Sequence, residues 1–295
     1  MGDRAVVTGA NSGIGLATAL RLAADGYEVF AGARRAEGLA AIADAAAADG
    51  LTNVHPVTLD VTSDESVLAA FSTVLEGGPV AVLVNNAGIT GASALEETAV
   101  ATYQAMFDTN VLGVVRCTQQ VLPGMRAVGA GRIVNISSSS AITSPPFMSA
   151  YASTKFAVES LSESLQVEVA PFGIRVVVMQ PGTILTPIWG KAESLPTETA
   201  YPQARDFLLT VLTHNLTRSG VAAEVVADAI SAAVAHDEPT LRHVVGDAVV
   251  LAGMRERHTD DELFGVYFLE DEDAFRERYA ELSGIDYWAT PRGAG

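Results

Sequence analysis

The sequence has little cysteine, few basic residues and no long apolar run. Its single cysteine, Cys117, has no partner for an intramolecular disulfide, so nothing points to an oxidising compartment. The 18 Lys and Arg residues face 35 Asp and Glu, and the net charge of -17 disfavours binding to nucleic acid or an anionic membrane. No apolar run reaches the ~18 residues of a membrane span, and Asp3 and Arg4 do not begin a signal peptide. We therefore expect a cytoplasmic protein without membrane insertion or nucleic-acid binding.

Short apolar segments alternate with longer helical segments along the first 180 residues or so. The predicted strands are 5–7, 28–32, 54–59, 80–84, 132–136 and 174–179. The predicted helices are 16–24, 39–48, 63–75, 100–128 with a soft break at Pro123-Gly124, and 151–170. Strands that are apolar throughout are typical of a parallel sheet covered on both faces. With right-handed crossovers, this predicts a Rossmann-type doubly wound α/β fold.

The pattern changes after Gly182. The features predicted there are a lid at about 188–215, a helix at 221–235, a possible seventh strand at 241–245 and an acidic, aromatic helical tail at 259–283. We expect one domain in which residues 1–250 form the nucleotide-binding and catalytic unit. Residues 251–295 are then a helical extension of the same domain.

A glycine-rich segment, Thr8 to Gly15, joins the first predicted strand to the first helix. Gly9, Gly13 and Gly15 permit tight turns and the close approach of a pyrophosphate to the helix N-terminus. A turn that merely needs glycine is the alternative. The strand–loop–helix context favours a dinucleotide site.

The end of the second strand indicates which dinucleotide would bind. An acidic residue there would bind the ribose 2′-hydroxyl of NAD, but the sequence has Ala33 followed by Arg34. Arginine suits the 2′-phosphate of NADP. The alternative is that Arg34 and Arg35 are ordinary solvated residues. We predict NADP(H).

Polar and small residues also follow the third and fourth strands. Asp60 and Val61 come after the third strand, and Asn86, Ala87 and Gly88 follow the fourth. Ligands bind at the carboxyl ends of strands in open α/β sheets, so these residues are candidates for cofactor contacts. Asp60 could also cap the next helix, with Thr62 or Ser63 as other candidate caps.

Tyr151 and Lys155 are one helical turn apart at the start of a long helix. An ammonium near a phenol is expected to lower the phenol pKa, which would make Tyr151 a proton donor or acceptor near neutral pH. A surface pair on a helix is the alternative. Ser138 precedes Tyr151 by 13 residues at the end of a strand, where its hydroxyl could bind a substrate oxygen. Ser137 and Ser139 leave that assignment open by one residue.

Taken in order, these motifs resemble the short-chain dehydrogenase/reductase family over residues 4 to about 187. The resemblance implies that Tyr151 is the general acid/base, that Lys155 holds the nicotinamide ribose and tunes Tyr151, that Ser138 polarises the substrate carbonyl and that Asn110 supports a water in the proton relay. A polar residue that kinks the helix is the alternative for Asn110. The cofactor-binding residues implied are Gly9, Asn11, Ser12, Gly13, Ile14, Gly15, Arg34, Asp60, Val61, Asn86, Ala87, Gly88, Tyr151, Lys155, Pro181, Gly182, Thr183, Ile184 and Thr186.

The length of the chain resembles the longer hydroxysteroid-, retinol- or ketoreductase-type members of that family. The implied function is NADP(H)-dependent interconversion of a carbonyl and a secondary alcohol on a small, apolar substrate. A non-catalytic NADP-binding sensor or scaffold and an epimerase or dehydratase are the alternatives. Candidate pocket residues, which could equally be core, are Phe147, Met148, Trp189, Phe207 and Leu208. A homodimer through helices 100–128 and 151–170 is expected by analogy.

Overall fold

The computed structural model describes residues 3–187 and 196–289. Its strands are β1 Arg4–Val7, β2 Glu28–Ala33, β3 Val54–Thr58, β4 Val80–Asn85, β5 Gly131–Ile136, β6 Ile174–Pro181, β7 Ile184–Leu185, β8 Val221–Ala222 and β9 Arg242–Val245. Seven of them form one sheet in the order β3-β2-β1-β4-β5-β6-β9, and every neighbouring pair is parallel. The short strands β7 and β8 pair with each other. The predicted doubly wound α/β fold is confirmed, since the strand order reverses direction after β1.

The helices cover both faces of the sheet. They are α1 Gly13–Ala24, α2 Ala36–Ala48, α3 Asp64–Leu75, α4 Val100–Phe107, α5 Gly113–Val128, α6 Ser149–Val169, α7 Pro202–His214, α8 Ala223–Ala235, α9 Ala248–Arg257, α10 Asp260–Gly265 and α11 Glu272–Ser283. One apolar cluster packs α1, α2 and α8 on one face, around Leu22, Ile42 and Ile230. A second cluster packs α3 and α5 on the other face, around Phe71 and Met125. The apolar strands are therefore buried on both sides, as their composition predicts.

Several predicted boundaries were wrong by a few residues. Helix α1 begins at Gly13 and α2 at Ala36, each three residues before its predicted start. Residues 221–222 are strand, and α8 begins only at Ala223. Helix ends depend on backbone bonds and caps more than on apolar periodicity, so such errors are concentrated there. Ser63 accepts a hydrogen bond from the Ser66 N–H at 3.2 Å and caps α3, as one of the predicted alternatives had it.

The predicted break in helix 100–128 is in a different place. The backbone forms a π turn over Asp108–Leu112, between α4 and α5, and α5 then continues through Pro123. Proline removes one N–H and exposes the carbonyl of the residue four positions earlier. Pro123 and Gln119 are both exposed, so water can satisfy that carbonyl and the helix does not break.

The segment after β9 builds a third core. Helices α9, α10 and α11 close over α7, and Phe207 is surrounded by Tyr267, Phe275 and Tyr279 with ring centroids 5.0–5.5 Å apart. The helical tail expected at 259–283 is confirmed as a helical segment, while α9 is an additional helix. Within the described residues, none of the helices combines the length and apolarity that a bilayer crossing requires.

Cys117 belongs to the second apolar cluster. Its side chain is fully buried on α5, and burial raises the pKa of its thiol to about 12. A thiol of that kind is a packing group and not a nucleophile at neutral pH.

Candidate active site

A cleft of about 660 Å³ lies at the carboxyl ends of the parallel strands. This volume is in the range of sites for small molecules and cofactors. Residues from the ends of β1, β2, β4, β5 and β6 and from the start of α6 line it. Strands in one parallel sheet all end at the same edge, so segments far apart in the chain meet here.

The glycine-rich loop lies on one side of the cleft and fits a phosphate-bearing cofactor. Gly9 has a φ of +64°, and a Cβ there would be 2.8 Å from the Ala87 Cα. Gly13 has a φ of +57° and closely approaches the Thr186 side chain. The N–H groups at the start of α1 favour an anion, and the first turn of this helix contains no acidic residue that would repel one. The loop is therefore shaped so that backbone and ligand can approach closely.

Thr8 and Asn86 fasten that loop to the segment after β4. The Thr8 Oγ1 accepts the N–H groups of Asn86 at 3.0 Å and Ala87 at 2.9 Å. The Asn86 Nδ2 donates to the carbonyls of Thr8 at 2.9 Å and Gly9 at 3.1 Å. Gly15 does not line the cleft; a Cβ there would collide with the Gly9 carbonyl and the Asn86 amide. Its small size serves the packing of the loop.

The end of β2 brings two arginines to the rim of the cleft. Arg34 and Arg35 line it next to the apolar Ala33. Among the described residues, no carboxylate lies within ion-pair distance of either guanidinium. Two cations without such a partner, at a site without an acidic residue at the strand end, suit an anionic group.

Asp60 lies at the same end of the cleft. Its Oδ1 accepts hydrogen bonds from the Thr62 N–H at 3.0 Å and the Thr62 hydroxyl at 2.7 Å. Partial burial opposes ionisation of this carboxyl, but the bonds from Thr62 and the nearby Arg34 and Arg116 outweigh it and lower the pKa of Asp60. The side chain is therefore a charged acceptor that stiffens the loop and does not cap α3.

Ser138, Tyr151 and Lys155 meet at the opposite end of the cleft. The Ser138 hydroxyl is close enough to the Tyr151 phenol to lower its pKa, and the Ser138 Oγ accepts the Ser140 N–H at 3.1 Å. The Lys155 Nζ lies 5.5 Å from the centre of the Tyr151 ring and donates to the Ile136 carbonyl at 2.7 Å. These three side chains can therefore surround one reacting oxygen.

The expectation that Lys155 lowers the pKa of Tyr151 was wrong for this structure. Burial raises the pKa of Tyr151, and the hydrogen bond with Ser138 offsets only part of that effect. The same burial lowers the pKa of Lys155 to about 8, against the opposing charge of Glu159. Desolvation disfavours both charged forms. The phenol thus holds its proton at neutral pH, where the lysine is mostly charged.

Asn110 stands behind this group, within the π turn, and does not itself line the cleft. Its Oδ1 accepts the Ile89 N–H at 2.8 Å, and its Nδ2 donates to the Ile89 carbonyl at 2.9 Å and to the Thr154 Oγ1 at 3.0 Å. The side chain therefore ties the loop after β4 to α6, close to Tyr151.

The segment Pro181 to Thr186 forms the floor between the two ends of the cleft. Asp247, at the start of α9, accepts the Thr183 N–H with its Oδ1 at 2.6 Å and the Ser219 hydroxyl with its Oδ2 at 3.2 Å. Gly182 approaches the same carboxylate so closely that a Cβ would collide with it. The C-terminal segment thus fixes the position of this floor.

A second cavity of about 650 Å³ adjoins the first and is mainly apolar. The two cavities share walls at Thr90, Ser139, Ser140, Met148 and Thr183. The far walls come from α7 and from the segment after β9: Phe207, Leu208, Leu251, Met254, Leu263, Phe264, Tyr267 and Tyr279. An apolar molecule bound there would lie next to the cleft that Tyr151 lines.

The structure separates the predicted pocket residues. Met148 lines both cavities, and Phe207 and Leu208 line the second. Phe147 is core: it packs with Ala94 and Leu208, and its φ of +65° is the only positive value for a non-glycine among the described residues. Trp189 lies outside the described residues, as does the first part of the predicted lid.

Apart from Gly15, every residue predicted to contact a cofactor lines the first cavity. They are Gly9, Asn11, Ser12, Gly13, Ile14, Arg34, Asp60, Val61, Asn86, Ala87, Gly88, Tyr151, Lys155, Pro181, Gly182, Thr183, Ile184 and Thr186. Sequence reasoning missed Thr8, Thr154, Asp247 and, among the aromatic walls of the second cavity, Phe264, Tyr267 and Tyr279. Of the residues that position the cofactor cleft, only Thr8 carried a signal, because it lies inside the glycine-rich segment. In the described part of the chain, no cluster of three metal-ligating side chains occurs.

Comparison with known proteins agrees with this geometry. The model of the short chain dehydrogenase family matches residues 3–196. The uncharacterized oxidoreductase YusZ of Bacillus subtilis is 35% identical over 253 residues, which is 84% of this chain and 90% of that protein. A short-chain dehydrogenase from Streptomyces avermitilis has a similar structure, with a TM-score of 0.76 and 35% identity over 91% of this chain and 99% of that one.

Similar structures contain either nicotinamide cofactor. An actinorhodin polyketide ketoreductase determined with NADPH has a TM-score of 0.72 and 32% identity, covering 83% of this chain and 95% of that one. A short-chain dehydrogenase/reductase from Burkholderia phymatum determined with NAD has a TM-score of 0.75 and 30% identity, covering 89% and 95%. The choice of cofactor therefore depends on this chain's own residues.

Proposed function

The chain belongs to the short-chain dehydrogenase family and is an oxidoreductase acting on alcohol and carbonyl groups; on that premise we propose that it uses NADP(H) to interconvert an apolar ketone and its secondary alcohol. The observation that carries the proposal is the meeting of Ser138, Tyr151 and Lys155 where the cofactor cleft adjoins the apolar cavity. When bound, the nicotinamide supplies or accepts the hydride.

Tyr151 is proposed to hold the transferable proton. Because burial raises its pKa, the phenol is protonated at neutral pH and can donate to the oxygen of a carbonyl being reduced. The Ser138 hydroxyl, which lines the cleft near the phenol, can bind the same oxygen as negative charge develops on it. The Lys155 ammonium adds positive charge beside the phenol and, since it lines the cofactor cleft, would bind a ribose hydroxyl of the cofactor.

Arg34 is proposed to select the cofactor. It follows Ala33, so no carboxylate at the strand end repels a 2′-phosphate, and no described carboxylate lies within ion-pair distance of its guanidinium. Arginine binds phosphate through charge-assisted and often bidentate hydrogen bonds. Arg35, next to it, extends the same positive rim.

The second cavity supports an apolar substrate. Its walls are mostly aromatic and aliphatic side chains, and its volume of about 650 Å³ accommodates a molecule of drug-like size. A non-catalytic sensor or scaffold would have no need for Ser138, Tyr151 and Lys155 together, so their joint presence favours an enzyme. Residence in the cytoplasm and assembly as a homodimer stay predictions.

The proposal is tested by mixing the protein with NADPH or NADH and a graded panel of ketones and aldehydes, and following absorbance of the reduced cofactor. We expect turnover of bulky apolar ketones, faster with NADPH. Tyr151→Phe should lower kcat by at least ~10²-fold, the lower range for a general acid, while NADPH still binds.

Tyr103→Phe is the matched control. The Tyr103 hydroxyl bonds the Ser149 hydroxyl at 2.6 Å at the start of the same helix, but it does not line the cleft. We expect this variant to keep nearly full activity. Normal turnover by Tyr151→Phe would refute the proposed acid–base role.

A further inference from the structure

Lysine is rare in this chain. Of its 18 basic residues only two are lysines, Lys155 and Lys191, and the rest are arginines. Arginine stays charged under all ordinary conditions, whereas a buried lysine loses its proton readily. The chain therefore places one of its two lysines at the proposed reaction centre, where the charge of that side chain must be maintained.

The surroundings of Lys155 work against its charge. The side chain is only 5% exposed, and in the described part of the chain its ammonium donates to one acceptor, the Ile136 carbonyl. Taking an ammonium out of water costs several kcal/mol unless an opposite charge compensates. Burial accordingly lowers the pKa of Lys155 to about 8.

A buried carboxylate lies one helical turn further along α6. Glu159 is 7% exposed and four residues after Lys155, so both side chains lie on the same helix face. Its Oε1 accepts a hydrogen bond from the Gln180 Nε2 at 3.0 Å, and its Oε2 pairs with the Arg242 Nε at 2.8 Å. Gln180 is near the end of β6 and Arg242 begins β9, so the sheet itself fixes this carboxylate in place.

We propose that Glu159, whose carboxylate is held by the hydrogen bond from Gln180, is a positioning residue that keeps Lys155 positively charged. The inference rests on the proposed function, in which the Lys155 ammonium supports proton transfer by Tyr151. The negative charge of Glu159 does oppose the effect of burial on the pKa of Lys155.

Few other ionisable groups act on this pair. Tyr151 faces Lys155 from the same helix, and Arg242 faces Glu159 from β9. Of the elements packed against α6, α4 contributes Tyr103, which bonds Ser149. The π turn contributes Asp108, which pairs with Arg116, and β6 contributes Arg175, which pairs with Glu238 at the opposite end of the strand. None of these groups supplies a negative charge that could act on Lys155 in place of Glu159.

Glu163 offers a matched control. It also pairs with Arg242, one turn further along α6, but its side chain is 58% exposed. Glu159→Gln and Glu163→Gln each remove one carboxylate from the same guanidinium while keeping the shape of the side chain. Only the first removes a buried charge one helical turn from Lys155.

The measurement is a pH titration of the full-length protein carrying [13C]lysine, followed by NMR. Two lysine side chains give two sets of signals, and Lys191→Arg assigns them. In Glu159→Gln we expect the pKa of Lys155 to fall from about 8 to about 7, the lower range for loss of one nearby opposite charge. In Glu163→Gln it should stay at the wild-type value.

A second variant separates charge from packing. Arg242→Gln disturbs the same network but leaves the Glu159 carboxylate, so the pKa of Lys155 should stay at or above the wild-type value. Circular dichroism checks that each variant is folded. A fall in Arg242→Gln as large as in Glu159→Gln would show that packing and not charge controls Lys155, and would overturn the proposal.

Turnover supplies the functional arm. In NADPH-dependent carbonyl reduction, Glu159→Gln should lose kcat/KM at a pH about one unit lower than the wild type, and Glu163→Gln should follow the wild type. An unchanged Lys155 titration in Glu159→Gln, or a shifted titration with an unmoved pH profile, would overturn the positioning role. If no carbonyl is turned over at all, the proposed function fails, and the NMR titration still decides the effect of Glu159.

Discussion

At the scale of single residues, one physical cause moves the two central pKa values in opposite directions. Burial raises the pKa of Tyr151 and lowers that of Lys155, because it disfavours phenolate and ammonium alike. The pair therefore starts as a neutral phenol beside a mostly charged amine, which suits donation of a proton to a carbonyl. Among the three candidate serines, Ser138 is the one whose hydroxyl acts on the pKa of the phenol, which favours it as the third member of the group.

Ser138→Ala should lower kcat by roughly 10²–10³-fold, the usual cost of removing one donor to a developing oxyanion. Ser137→Ala is the natural comparison, because the Ser137 Oγ is buried and has no hydrogen-bond partner among the described residues. Its removal should change kcat little. Steady-state kinetics of both variants decide the assignment, and a loss confined to Ser137→Ala would reverse it.

Arg34→Ala should narrow the preference for NADPH over NADH by roughly 1–3 kcal/mol, the value of a charge-assisted hydrogen bond. Fluorescence titration with each cofactor measures the gap. Arg126→Ala is a suitable control, because Arg126 stacks on Phe172 and does not line the cleft. Equal affinity of the wild type for NADPH and NADH would contradict the proposed role of Arg34.

At the scale of elements, the segment after β9 serves the site in two ways. The Asp247 carboxylate accepts the Thr183 N–H and so fixes the loop after β6. Residues of α9, α10 and α11 line the apolar cavity. The cofactor cleft is built mainly from the ends of the sheet strands, whereas the substrate side depends on this added layer. Substrate preference should therefore respond to changes in α10 without a change in cofactor binding.

Phe264→Ala in α10 should raise KM for bulky apolar ketones about fivefold and leave small ketones unaffected. The ring lines the cavity and is 41% exposed, so its truncation should remove about 1 kcal/mol of apolar contact without unfolding the helix. Phe268→Ala is the control, since that ring is 84% exposed and does not line the cavity. KM across a size series, with NADPH affinity alongside, tests the difference.

The lid predicted at 188–215 includes α7, which carries Phe207 and Leu208 into the cavity wall. We expect amide hydrogen exchange over 196–215 to slow when cofactor and substrate are both bound, because closure over a site protects backbone groups. Exchange measured by mass spectrometry in the free, NADPH-bound and ternary states provides the comparison. Equally slow exchange in all three states would argue against a lid.

At the scale of the whole molecule, the predicted dimer would use residues 100–128, which form α4, the π turn and α5, together with residues 151–170 of α6 and the turn after it. Apolar side chains are exposed on the elements concerned, among them Leu112 at 48% and Phe156 at 44%. Phe156→Asp should convert a dimer to a monomer, because it would place an unpaired charge in the interface. Sedimentation equilibrium measures the mass, with Phe268→Asp as a control outside those helices. A monomeric wild type would contradict the prediction.

The sequence alone determined the architecture and the location of the site. Apolar strands that alternate with helices specify a parallel sheet, and a parallel sheet brings the ends of its strands to one edge. Residues as far apart as Gly9, Ser138 and Pro181 were therefore predictable as neighbours. Each of these signals is local in the chain, which is why periodicity and short motifs detect it.

Only the tertiary structure decided the electrostatics and the substrate side. The pKa directions of Tyr151 and Lys155 follow from how deeply α6 is buried, which a spacing of four residues does not encode. The clamp of Asp247 on Thr183 and the pairing of Glu159 with Arg242 join residues 64 and 83 positions apart. Such contacts form only when the segment after β9 packs against the edge of the sheet. That packing sets both the dielectric around an ionisable side chain and its distance from a partner, and neither can be read from the local sequence.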